Sequence, residues 1–184
     1  MELLVVLAIA GCVFAISVPA SVGMVDEFNL SGDAHGVSNS LALARMGAAA
    51  NFTRSRVYID RAARNYRVER WNKTAAAWQA IGGSSPVGTK NAFSSGTTAA
   101  PPPNSQAAVA QPAQCLNNAG AAIANTSCII FNSRGMPIDP VGAPTPAAVI
   151  YLNGPTAVYG VVVSSTSQLG LWRTSPGATA WVQK

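Results

Sequence analysis

Seven of the chain's twelve basic side chains fall between Arg54 and Lys73. Arg54, Arg56, Arg61, Arg64, Arg67, Arg70 and Lys73 are interleaved with Tyr58, Tyr66 and Trp71. Cations hold phosphates and aromatic faces stack on bases, so this pattern has the chemistry of an anionic-ligand or nucleic-acid surface. The same residues more often form a solvated or subunit-facing wall, neutralised by Asp60, Glu69 or acids of a second copy. DNA is the lesser of the two readings.

A second group is a lone carboxylate. Glu2 precedes 23 residues without a formal charge, Leu3 to Val25. About 20 apolar residues at a rise of about 1.5 Å each are enough to cross a bilayer core of about 30 Å. A signal peptide would need a basic start, and here the run is preceded only by an acid. A carboxylate at the membrane end of an apolar helix is costly to bury and marks a partner or a pathway. The bland alternative is a carboxylate resting in the headgroup layer of a simple anchor.

Cys12 lies within the apolar run and reads as a free, packed thiol. Cys115 and Cys128 bracket a short polar loop and form the natural disulfide pair in an oxidising compartment. Two cysteines and the distant His35 do not make a zinc site. No Ser/His/Asp or Cys/His arrangement stands out, and nothing assigns the adjacent Asp26 and Glu27 opposed acid and base roles. The chain therefore reads as no enzyme, with no cofactor and no metal. Sequons at Asn29, Asn51, Asn72 and Asn125 bear sugar only in a host that modifies them.

The elements that carry these groups follow from periodicity. Gly11 and Pro19 interrupt the apolar run, and the stretch between them is where a helix would bend or unwind. From Asp26 to Gly36 the chain turns polar and the helical signal weakens. It returns at Ser38, with Leu41, Ala44, Arg45, Ala48, Ala49 and Phe52 at helical spacing. Val57 and Ile59, then Tyr66 and Val68, alternate with polar neighbours and read as a β-hairpin turning at residues 61–65. Residues 81–114 hold no period, and Pro101 to Pro103 block regular structure, which marks a surface excursion. Strands are expected again at 127–131, 148–152, 157–164, 169–173 and 180–183. The reading is α+β: a long amino-terminal helix followed by an antiparallel β-sheet head. Residues 1–25 form the apolar helix segment and 26–56 its amphipathic continuation. Residues 57–184 form the head, with a Gly/Ser/Pro-rich excursion at about 81–127. Charged residues make up only 10% of the chain, which fits a surface exposed outside the cell or packed against copies of itself.

Glu2 to Gly11 followed by Ala15 to Pro19 resembles the amino-terminal helix of type IV pilins and pseudopilins, with glutamate, glycine and proline at that family's mutual spacing. Ser40 to Arg45, the strand at Val57, Ile130 to Gly135 and Val161 to Ser164 look like the GspH/FimT-type branch. The matches leave residues 72–127 uncovered. Family members carry a short basic leader removed by a prepilin peptidase, so a few residues are expected before Met1; a genuinely short amino terminus is the alternative. The branch is associated with DNA binding through carboxyl-terminal basic residues, and this chain offers only Arg173 and Lys184 there.

The resemblance implies that Glu2 pairs with the amino terminus of a neighbouring subunit during assembly, and that the Gly11–Pro19 segment unwinds in the fibre. It implies a subunit that waits in the inner membrane and then enters an extracellular helical filament of its own copies. Its other partners would be the pilus assembly machinery and the prepilin peptidase. The runner-up is a minor pseudopilin of a secretion or DNA-uptake machine; a membrane-anchored binding domain is the third reading.

Overall fold

In the computed structural model, residues 23–184 are described with their side chains. The Glu2 carboxylate, the Cys12 thiol and the interruption expected between Gly11 and Pro19 lie outside those residues. Helix α1 spans Glu2–Ala50. Nine strands follow: β1 (Ser55–Asp60), β2 (Asn65–Asn72), β3 (Ala77–Pro86), β4 (Thr126–Phe131), β5 (Pro137–Ile138), β6 (Ala148–Asn153), β7 (Val158–Val163), β8 (Leu169–Thr174) and β9 (Val182–Gln183). Among the described residues no helix is long and apolar enough to cross a membrane.

The fold is α+β and every strand pairing is antiparallel. The strands form two sheets, where the sequence pointed to one. The first has the order β3-β2-β1-β4-β5 and the second β6-β7-β8-β9. Their inner faces meet around α1. Leu30, Ala34, Val37, Leu41, Ala44 and Ala48 are fully buried and recur at steps of three and four, the stripe that a 3.6-residue period presents to one side. They pack on Val57, Ile59, Ile129 and Phe131 of the first sheet and on Ile150, Leu152, Val161 and Val163 of the second. Close approach at the middle of the helix depends on Gly36, where a Cβ would collide with the Tyr66 hydroxyl.

The weak helical signal from Asp26 to Gly36 marks no break: the stretch is helical, within the continuation expected over 26–56, and its acids are satisfied by the head. Asp26 pairs with Lys90 (2.8 Å), and Asp33 accepts from the Gly88 amide (2.8 Å) and the Asn91 side chain (2.6 Å).

The excursion is also more ordered than composition suggested. It opens with β3, which runs alongside β2 despite Gly82, Gly83 and a register shift between Tyr66 and Val68. Its remainder is an outer layer over both sheets. Gln106 and Gln111 use their amides to occupy the free edge of β6, bonding the Val149 amide and both the amide and carbonyl of Tyr151. Trp181 donates its indole N–H to the Ala100 carbonyl at 2.9 Å. With that cover, β6 and β7 are buried on both faces, and Val149, Tyr151, Val158 and Val162 form a second core. A blocked edge of this kind resists unintended strand pairing.

Candidate assembly surface

The basic and aromatic residues do not form one stripe. Alternation along β1 and β2 sends Arg54, Arg56, Tyr58, Arg67, Glu69 and Trp71 to the outer face of the first sheet. The register fixes their neighbours, Tyr58 opposite Arg67 and Arg56 opposite Glu69. Arg70 falls on the opposite parity, beside α1. Arg61 and Arg64 sit at the hairpin turn, where Arg64 donates to the Thr89 carbonyl (2.6 Å). Lys73 is exposed at the next turn.

On the outer face the central cations are already spent. Arg56 is 3% exposed and binds the Glu69 carboxylate through Nε (2.7 Å) and Nη2 (2.6 Å), while Nη1 donates to the Leu116 carbonyl (2.7 Å). Arg67 takes the other oxygen of the same carboxylate, at 2.8 and 2.7 Å. Both guanidiniums lie over aromatic rings, Arg56 on Trp78 and Arg67 on Tyr58, each 4.1 Å from the centroid. Burial pulls the Arg56 guanidinium below its ordinary pKa, and the Glu69 charge and hydrogen bond oppose that fall. Charge-assisted bonds to two cations satisfy Glu69, which is 5% exposed. The arrangement is a cation–aromatic ladder that stiffens the sheet and offers no row of free charges to track a phosphate backbone.

A strap closes over this ladder. Cys115 and Cys128 form a disulfide with 13 residues of sequence separation. It pins residues 115–128 against Tyr58, Ile130 and Ile138. At the open end Arg54 lies 5.0 Å from the Trp71 ring, in a cleft of about 310 Å3 shared with Phe52, Lys73 and Asn132.

The surface that carries most information is the outward side of α1, opposite the buried stripe. Its charged residues, from Gly23 onward, sit on two flanks. Asp26 and Asp33, seven apart, face the 88–91 segment, as described above. Glu27 and Arg45, eighteen apart (five turns), face the second sheet. Arg173 Nε donates to the Glu27 carboxylate at 2.6 Å, and Arg45 Nη1 donates to the Ser167 carbonyl at 2.9 Å. That bond to Glu27 is the main reason the Arg173 guanidinium sits above its ordinary pKa. At Gly135, with φ +74, a Cβ would press on the Arg45 side chain, so the glycine makes room for this contact.

Between the flanks the outward ridge holds no Asp, Glu, Lys or Arg. Met24, Val25, Phe28, Gly32, His35, Asn39, Leu43, Met46 and Ala50 are all exposed on it. Met24 is 76%, Phe28 78%, Leu43 58% and Met46 58% exposed. A helix apolar on both sides is normally buried on both sides, and large apolar side chains exposed along a face of this length mark an interface. The residues expected at helical spacing divide accordingly: Leu41, Ala44 and Ala48 face the head, while Arg45, Ala49 and Phe52 are exposed. Sequence reasoning missed the outward set, although the signal was there: positions 28, 32, 35, 39, 43 and 46 repeat at three and four with no formal charge.

Among the described residues no cluster of three His, Cys, Asp or Glu side chains could hold a metal ion. The chain matches no family model, no curated protein and no solved structure.

Proposed function

We propose that the chain is a structural subunit of an extracellular, type IV pilus-like helical filament, assembled through α1. The observation that carries the reading is the charge-free outward ridge of α1, exposed from Met24 to Ala50 and continuous in sequence with the uncharged run that begins at Leu3. Every charged side chain of the helix from Gly23 on is turned to the flanks, where the head neutralises or hydrogen-bonds it. A second copy of α1 is the covering surface of matching chemistry and length. The membrane holds the subunit before assembly, and the filament core receives its helix afterwards. Glu2 would then be drawn into register by a partner charge, since an unpaired carboxylate in an apolar bundle costs several kcal/mol.

Electron microscopy of sheared surface material tests the reading. Abundant fibres composed of this chain alone support it. Sparse labelling at the tips of other fibres favours a minor pseudopilin, and detergent-soluble monomers without fibres favour an anchored binding domain.

A further inference from the structure

Beside the outward ridge lies an apolar notch of about 150 Å3, lined by Leu43, Gly47, Ser55, Val68, Arg70 and Ile81. It opens where α1 meets β2 and β3. Its buried hydroxyl is already used, since Ser55 Oγ donates to the Glu69 carbonyl at 2.9 Å. Leu43 and Ile81, 58% and 44% exposed, leave its mouth open to solvent. An apolar cavity of about this volume holds one benzene ring. Arg70 has no ion-pair partner among the described residues and lines the notch, so its guanidinium is available to an inserted aromatic ring, a contact with attraction of its own.

We infer that this notch receives the Phe28 ring of a second copy and sets the stagger between neighbouring subunits. The inference rests on the filament reading above. Phe28 and Phe52 are the exposed phenylalanines among the described residues. Phe52 lines a different cleft, with Arg54, Trp71 and Lys73. Phe28 stands free on the ridge itself, and no described residue of its own chain reaches over it. Along α1, Phe28 lies about 17 residues from the midpoint of Leu43 and Gly47, so two parallel helices joined this way are offset by about 25 Å. Parallel alignment follows from amino-terminal segments that share one membrane. Knob and notch are different patches of one surface, so each copy still offers a free knob and a free notch after docking. Such a heterologous contact propagates into an open fibre and does not close.

Cysteine cross-linking in assembled filaments tests the geometry. The full chain carries Phe28→Cys and Ile81→Cys in a Cys12→Ser background, and mild oxidation is read on non-reducing gels. A ladder of multimers is expected, because every subunit bears one thiol of each kind. Either single variant should give no ladder, and pairing Phe28→Cys with Val141→Cys should give none. Filaments that form but yield monomers, or dimers and nothing longer, overturn the docking while leaving the filament reading intact. Absence of filaments from the unmodified chain removes the filament reading first. If the double variant fails to assemble, Phe28→Ala decides: a loss of at least tenfold in filament yield with an unchanged unfolding midpoint supports the docking, and normal yield overturns it.

Discussion

A carboxylate placed on the outward ridge of α1, as in Met46→Glu, separates folding from assembly. Met46 is 58% exposed in the single subunit. Glu and Met are both good helix formers, so the isolated chain should change by no more than about 0.5 kcal/mol. In the proposed fibre the same position would be covered. Burying the exposed part of a methionine is worth about 1–2 kcal/mol, taken as its exposed fraction of the 1.5–3 kcal/mol for full burial. The new carboxylate must in addition be stripped of water, at a cost of several kcal/mol when it has no partner. A total of about 4 kcal/mol per contact is a conservative sum. It corresponds to about a thousandfold rise in the subunit concentration needed for growth. The assay is the yield of sedimentable filaments beside urea unfolding of the detergent-solubilised subunit. Thr74→Glu, at the exposed tip between β2 and β3, carries the same charge change away from the ridge and should assemble normally. Normal filament yield from Met46→Glu would refute the argument that the ridge is buried on assembly. Equal loss in Thr74→Glu would assign the effect to net charge alone.

Three further expectations concern the head. Glu69→Gln leaves the buried Arg56 guanidinium facing an amide, and should cost about 3–5 kcal/mol, read as an earlier urea midpoint by tryptophan fluorescence. Replacing the pair together, Arg56→Met with Glu69→Leu, should recover most of that loss; a Glu69→Gln midpoint like the parent's would show the ladder to be ornamental. Cys115→Ser with Cys128→Ser removes a cross-link over 13 residues, worth about 3 kcal/mol, and should free the strap over Trp78 to proteolysis. An unchanged midpoint would count against it. Burial pushes the Tyr151 phenol up to about 12, with its Gln106 hydrogen bond opposing, against a usual value of 10.0. Because the folded value is raised, this contribution to stability is whole below pH 10 and is lost between pH 10 and 12 as unfolded phenolate becomes available. An ultraviolet titration of the folded chain should show Tyr151 ionising late, and a tyrosine titration curve with every phenol ionising near pH 10 would refute it.

The parts of the fold that could be read from the chain are those set by neighbours in sequence. Alternation at Val57–Ile59 and Tyr66–Val68 gives the hairpin because one face is core and the turn is short. The parts that were faint or missed depend on partners far away. The helix through Asp26–Gly36 is anchored by Lys90, Asn91 and Arg173, which lie 58 to 146 positions further along. A local reading sees only polar residues and glycines there. The strand β3 escaped because its Gly82 and Gly83 imitate a loop and its order comes from pairing with β2. The basic cluster was legible as composition but not as charge. Parity along β1 and β2 already places Arg56, Arg67 and Glu69 on one face. Only the strand register makes them share one carboxylate.

These observations join in the disposal of charge. A chain with few ionic groups has placed the acids of α1 from Gly23 onward against Lys90, Asn91 and Arg173, and two arginines of the first sheet against Glu69. Exposed pairs such as Lys90–Asp26 add little stability, typically less than about 1 kcal/mol. Their effect is positional. By holding the ionic groups at the flanks of the helix they keep the ridge between free of charge, where a single carboxylate would outweigh several apolar contacts. Selection for a strong ion pair would favour deeper burial at those flanks. Selection for an uncharged ridge needs only that the charges be drawn aside, and partly exposed bonds to the head are sufficient for that. The weak electrostatics of the head and the apolar outer side of α1 are on this view one feature of the sequence, and both follow from keeping the ridge between the flanks uncharged.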